Sequence, residues 1–137
     1  MKHLSILLAA ALACGNAAGA GTAALSDAEV TRTECSACHQ MFPSQLLPAP
    51  SWTRILATLD HHFGEDASLP ADKSAQIAAY LTAHASARFG AVDPANPPLR
   101  ITELDWYKSE HGRFTAQALA DPKIGTMSNC AGCHSGL

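Results

Sequence analysis

At 137 residues the chain has room for one domain or for two small ones. Its 9 basic and 12 acidic residues leave a net charge of −3, which argues against a nucleic-acid partner, because such proteins present a basic face, and suits a protein partner with a basic docking patch. Aromatic residues make up only 6% of the chain, so its core has little bulk of its own.

Lys2 and His3 precede an apolar run from Leu4 to Ala13, and small residues follow. A basic start, an apolar stretch of about ten residues and the pattern Ala18-Gly19-Ala20 predict a secretory signal peptide over residues 1–20. The run falls short of the ~20 apolar residues that span a bilayer, and no other segment is long enough. The mature chain is therefore expected to be periplasmic, soluble and without a transmembrane segment. Cys14 leaves with the leader if cleavage follows Ala20. The alternative makes Cys14 the lipidated first residue of a lipoprotein, which Ala11-Leu12-Ala13 suit only loosely. A mature chain of about 115 residues buries a modest amount of apolar surface, so a large prosthetic group would be core as well as cargo.

Residues 26–33 read as a short lead-in helix, followed by Cys35-Ser36-Ala37-Cys38-His39 and a loop punctuated by Pro43, Pro48 and Pro50. Ser51 suits the N-cap of a helix from Trp52 to about Phe63, ended by Gly64. A second helix is predicted from Pro70, a favoured first-turn residue, to about Arg88, with Gly90 closing it. Pro94, Pro97 and Pro98 break the stretch 92–99 into a linker. A third helix is expected from Thr102, with Asp105 placed as in a capping box, and it carries Trp106, Tyr107, Glu110 and His111. Cys130-Ala131-Gly132-Cys133-His134 comes almost last. No segment alternates as a strand does, so the fold class is all-α.

The two Cys-x-x-Cys-His runs carry the chemistry. Two thiols at that spacing reach the two vinyl groups of one porphyrin, and the histidine beside the second cysteine falls under the iron. Cys35, Cys38, Cys130 and Cys133 are thus the expected attachment points of two haem c groups, with His39 and His134 as axial ligands. Cysteine pairs that share a structural zinc usually stand ~15–20 residues apart, whereas these lie at opposite ends of the mature chain. Disulfides or a thioredoxin-like redox pair do not explain a histidine at the same offset twice.

The sixth iron position decides what a haem can do: methionine raises its potential, a second histidine leaves it lower, and an open position admits gas or substrate. Met41 and Met127 each sit too close to their own motif to reach the far face, so histidine is the better candidate. On a helix turning about 100° per residue, Trp52, Ile55, Leu56, Leu59 and Phe63 form one apolar stripe with His62 at its edge, while His61 points away. That assigns His62 to the first iron. His84 competes, on an apolar face with Ile77, Tyr80 and Leu81, but reads better as a core or haem-edge histidine with a hydrogen-bonded ring. His111 shares a helix face with Tyr107 and Phe114 and is assigned to the second iron. Crossed ligation between the two halves stays open. Pro43 or Pro48 could accept the ring N–H of His39. Trp52 and Trp106 suit either porphyrin contact or ordinary core packing, and Arg54 and Arg100 suit either propionates or solvent.

The run from His39 to Trp52, the run from His62 to Ser68, Arg100-Ile101-Thr102, Glu110-His111 and the run from Ser128 to His134 together resemble the soluble dihaem cytochrome c family. The resemblance implies a class I cytochrome c-like domain at 26–91 and a small second haem domain at 100–137. It also implies bis-histidine ligation, with His62 and His111 as the second ligands. Electrons would pass to redox proteins, a small high-spin oxygen-binding cytochrome and a membrane cytochrome b among them. The function expected is electron transfer and not enzymatic. The alternative is a haem enzyme or gas-binding protein with one open or displaceable axial position. A third is a subunit docked to a membrane complex through Cys14.

Overall fold

The computed structural model describes residues 24–86, 88 and 92–134. The expected leader, Cys14 within it, and Gly90 lie outside these residues.

Helix α1, Asp27–Cys35, starts at a capping box that the sequence reading did not single out. Ser26 Oγ accepts the Glu29 N–H at 3.3 Å, and the Glu29 carboxylate accepts the Ser26 N–H at 2.9 Å. The Ser26 hydroxyl also donates to that carboxylate at 2.7 Å, and this bond first, then the one from the Ser26 N–H, hold the Glu29 carboxyl below its usual pKa. The helix runs two residues past its expected end and delivers Cys35 as its last residue. After a 3-10 turn at Ser44–Leu46 comes α2, Ala49–Ala57. It begins earlier than expected because Pro48, not Ser51, takes the cap: its carbonyl accepts the N–H groups of Ser51 and Trp52 at 3.0 and 3.4 Å. Pro50 in the first turn has no N–H to lose to the helix. Ser51 is instead fully buried in the first turn.

The same helix ends six residues before Phe63. Thr58 leaves helical geometry with φ −132° and ψ 37°, and its hydroxyl donates back to the Arg54 carbonyl at 3.0 Å. A 3-10 turn, Leu59–His61, follows, and then the chain reverses. Glu65 N–H donates to the His62 carbonyl at 3.1 Å, and the two residues between, Phe63 and Gly64, both have positive φ, 54° and 106°. Positive φ at both central positions is the signature of a type I′ turn.

Helix α3, Ala71–Ala83, stops five residues short of Arg88. Its last turn is closed by side chains: Thr82 Oγ1 donates to the Ala78 carbonyl at 2.7 Å, and the His84 ring nitrogen Nδ1 lies 2.8 Å from the Tyr80 carbonyl. α3 packs on both α1 and α2. Lys73 bonds Glu34 at 2.7 Å and Gln76 bonds Asp27 at the same distance, while Ile77 and Leu81 turn inward. Trp52 Nε1 donates to the Ser44 carbonyl at 2.8 Å, and Ser44 Oγ to the His84 carbonyl at 3.3 Å.

The proline-rich stretch is held against the first half. Asp93 accepts from the Ala95 N–H, Arg54 donates to the Ala95 carbonyl at 3.2 Å, and Pro97 is buried. Thr102 does not cap the next helix. It lies in a 3-10 turn, Ile101–Glu103, and α4 runs from Asp105 to His111 behind Leu104. A 3-10 turn at Gly112–Phe114 leads into α5, Thr115–Leu119, and a last 3-10 turn spans Cys130–Gly132. Leu104 and Tyr107 join Leu47, Trp52, Ile55, Ile77 and Leu81 in one core cluster. The described residues form no strand, only an isolated bridge between His62 and Glu65.

The reversal at Phe63-Gly64 is the most demanding backbone in the first half. A Cβ at Gly64 would meet no atom within 4 Å, so the cost of adding one lies in its φ of 106° alone. Gly64→Ala is expected to lose ~1–2 kcal/mol in a denaturant titration followed by circular dichroism.

Candidate functional site

Each cysteine motif has a histidine from elsewhere in the chain facing its own. In the first, Cys35 closes α1 half-buried, and Cys38 and His39 are exposed. The His39 Nδ1 lies 2.6 Å from the Gln40 carbonyl. As the donor in that contact, Nδ1 leaves Nε2 to face a metal. The expected acceptors, Pro43 and Pro48, do not take this role; the next residue in the chain does. Across from His39 stands His62, with ring centres 6.1 Å apart and planes 18° from parallel. Phe42 stacks on His39 at 5.2 Å, and Phe63 sets its edge against His62 at 4.9 Å. Burial lowers the pKa of His62, and the neighbouring His39 and Arg100 push the same way. The neutral imidazole so favoured is the form that binds a metal.

In the second site His134 is exposed and His111 half-buried, with ring centres 6.0 Å apart and planes 66° from parallel. Tyr107, one helical turn before His111, controls that ring in three ways. Its carbonyl lies 3.1 Å from His111 Nδ1, its ring lies flat on the imidazole at 4.1 Å and 7°, and its hydroxyl donates to the Met127 carbonyl at 2.7 Å. The sequence placed Tyr107 on the right helix face, but its bond to Met127 left no trace there. Asn129 braces the final turn through bonds to the Lys123 and Ile124 carbonyls. Between the two imidazoles and the two cysteines opens a mostly apolar cavity of about 300 Å³. Trp106, Tyr107, Ile124 and Met127 form part of its wall, together with Pro43 and Leu46 from the first half.

Two imidazoles bound to opposite faces of one metal at about 2 Å per bond, each ring centre lying ~1 Å beyond its nitrogen, stand ~6 Å apart. Both pairs have that separation. The remaining candidates sit elsewhere. His61 is exposed and 2.9 Å from Asp60. His84 caps α3 with its ring tilted against Tyr80 at 4.4 Å. Met41 and Met127 pack partly buried against the core. Trp52 is a core residue. Arg54 reaches Ala95, and Arg100 lies over the Phe63 ring at 4.1 Å, with Glu103 at 3.8 Å.

Cys35, Cys38, Cys130 and Cys133 form no disulfide, and no three metal-binding side chains converge among the described residues. Burial pushes the Cys35 and Cys130 thiols up, with Glu34 adding to the effect at Cys35.

A family model described as DHC, dihaem cytochrome c, matches residues 31–137. Among curated proteins nothing matches. A diheme cytochrome c from Rhodobacter sphaeroides is 47% identical with a TM-score of 0.69, the alignment covering 78% of this chain and 90% of that one. A second structure, of DHC purified from Rhodobacter sphaeroides, is also 47% identical, with a TM-score of 0.63, and covers 78% and 89%. A diheme cytochrome type c from Shewanella baltica OS155 is 33% identical with a TM-score of 0.69, covering 80% and 82%.

The Tyr107 hydroxyl donates the bond to the Met127 carbonyl, so Tyr107→Phe removes that bond and keeps the ring. We expect a loss of about 1 kcal/mol in chemical denaturation, with the flat stacking on His111 retained.

Proposed function

Because the chain belongs to the dihaem cytochrome c family, with two haem c groups and a role in electron transfer, we propose that it is a periplasmic electron carrier with both irons held between two histidines. The first iron would be bound by His39 and His62, the second by His134 and His111. The observation that carries this reading is the spacing of the ring pairs, 6.1 and 6.0 Å, each beside its own pair of cysteines.

When bound, each haem supplies an iron that gains and loses one electron. The rest of the work falls to the chain. Cys35 and Cys38, and likewise Cys130 and Cys133, tether the macrocycle at two points. His39 and His111 are oriented by the carbonyls beside their Nδ1 atoms, which fixes their rings before any metal arrives. Phe42 and Phe63 flank the first pair, and Trp106, Ile124 and Met127 wall the second, apolar surfaces against which a macrocycle would pack. Two histidines per iron leave no coordination position for oxygen or peroxide and hold the potential below that of a histidine–methionine pair. Carriage rather than catalysis follows from that.

No helix among the described residues is long and apolar enough to cross a membrane. The acidic balance of the chain suits partners with basic docking faces. From the family resemblance we take those partners to be a small high-spin oxygen-binding cytochrome and a membrane cytochrome b.

Intact-mass analysis of the exported protein should show two added haems, and low-temperature EPR of the oxidised form two low-spin signals and no high-spin signal. The near-parallel rings at the first iron and the crossed rings at the second should give signals of visibly different anisotropy. His62→Ala should convert one of them, and His111→Ala the other, to a high-spin species that binds carbon monoxide. A full-weight high-spin signal in the unaltered protein would favour a gas-binding or catalytic haem instead.

A further inference from the structure

Gln40 touches both sites. Its carbonyl is the partner of His39 Nδ1 at 2.6 Å. Its side-chain Oε1 accepts the N–H of Ala131, inside the second cysteine motif and 91 residues further along, at 3.4 Å. The geometry of the second motif directs that contact. In the turn Cys130–Gly132 the N–H of Gly132 is taken by Asn129, and those of Cys133 and His134 by the Cys130 carbonyl. The N–H of Ala131 is turned outward, towards Gln40. One residue thus joins the proximal imidazole of the first site to the attachment loop of the second, through covalent bonds and a hydrogen bond at either end.

We propose that Gln40 is a positioning residue that locks the second cysteine loop against the proximal histidine of the first site and so sets how fast an electron passes between the two haems. This rests on the two-haem reading above. In the step itself one electron leaves a ferrous iron, which becomes ferric, and arrives at a ferric iron, which becomes ferrous. No bond is made or broken and no proton moves. The carbonyl half of the contact belongs to the backbone and survives any substitution; the amide half depends on the side chain. An uncharged amide bridges the sites without adding a charge that would bias either iron.

The test uses the full-length exported holoprotein and three variants. Gln40→Leu keeps the volume and removes the acceptor, Gln40→Glu keeps an oxygen acceptor, and Gln40→Asn keeps the amide but shortens its reach. Intact mass and the low-spin spectrum first count haems and ligands. Electron exchange between the irons is then followed after flash photoreduction, and their magnetic coupling by pulsed EPR. Gln40→Leu should slow exchange several-fold and weaken the coupling while leaving the low-spin signal of the first site unchanged. Gln40→Glu, which keeps the acceptor but adds a charge, should retain the magnetic coupling of the unaltered protein. If Gln40→Leu fails to load both haems, Gln40→Asn decides: slower exchange supports the proposal and an unchanged rate overturns it. A fully loaded Gln40→Leu protein with unchanged exchange overturns the role of Gln40 while leaving two haems intact. Fewer than two haems in the unaltered protein would overturn both readings.

Discussion

At each cysteine motif two imidazoles stand 6.1 and 6.0 Å apart, the separation that one metal held between them would set, and each half of the chain holds its pair in a different way. A motif can place one histidine by sequence alone, because His39 and His134 directly follow their second cysteines. The other histidine must come from a distant segment and be held at the right distance by folding. In the first half three helices do this. α3 lies across α1 and α2, tied by Lys73–Glu34 and packed through Ile77 and Leu81. α1 then presents the cysteines, and the chain leaving α2 presents His62. The second half has no such frame. There α4 is seven residues long, and the precision comes from Tyr107, which holds His111 by stacking and by its carbonyl while tying Met127, three residues before Cys130.

The core that supports this is small. The residues buried in it are Leu47, Trp52, Ile55, Ile77, Leu81, Leu104 and Tyr107, and Phe63 and Phe114 remain substantially exposed. Phe63, set against His62, would gain contacts from a macrocycle filling the space between the paired imidazoles. The apolar lining of the second cavity has the same meaning. Two haem groups would complete this interior, in a chain without disulfides among its described cysteines.

Much of the site was legible because its signals are local. The cysteine spacing, the adjoining histidines, the absence of strand alternation and the shared face of Tyr107 and His111 all lie within a few residues of one another. Element ends were read less well, for identifiable reasons. Ser51 is a favourable cap by type, but Pro48 offers its carbonyl first. Thr58 turns its hydroxyl back on Arg54 and ends α2 at Ala57. The helical projection that separated His61 from His62 therefore ran through residues that are not α-helical. The two histidines do differ in exposure, but through a 3-10 turn and the positive-φ reversal at Phe63-Gly64. His84, a competitor on a helix projection, is the residue at which α3 stops. The partner of His39 was sought among prolines and is Gln40, whose other contact lies at the far end of the chain, where no local pattern could announce it.

That contact is part of a wider sharing. The segment from Gln40 to Leu47 serves both halves at once. Gln40 supports His39 and receives Ala131, Phe42 stacks on His39, and Ser44 takes the indole N–H of Trp52 and bonds the end of α3. Pro43 and Leu46 complete the wall of the second cavity, and Leu47 lies in the core cluster that Leu104 and Tyr107 also enter. The second site thus borrows part of its wall from the loop that follows the first motif. Its own elements, a short helix and a braced turn, would leave that side open to water. A chain this short lets one loop bound parts of both sites, and the same loop brings the first motif against the second.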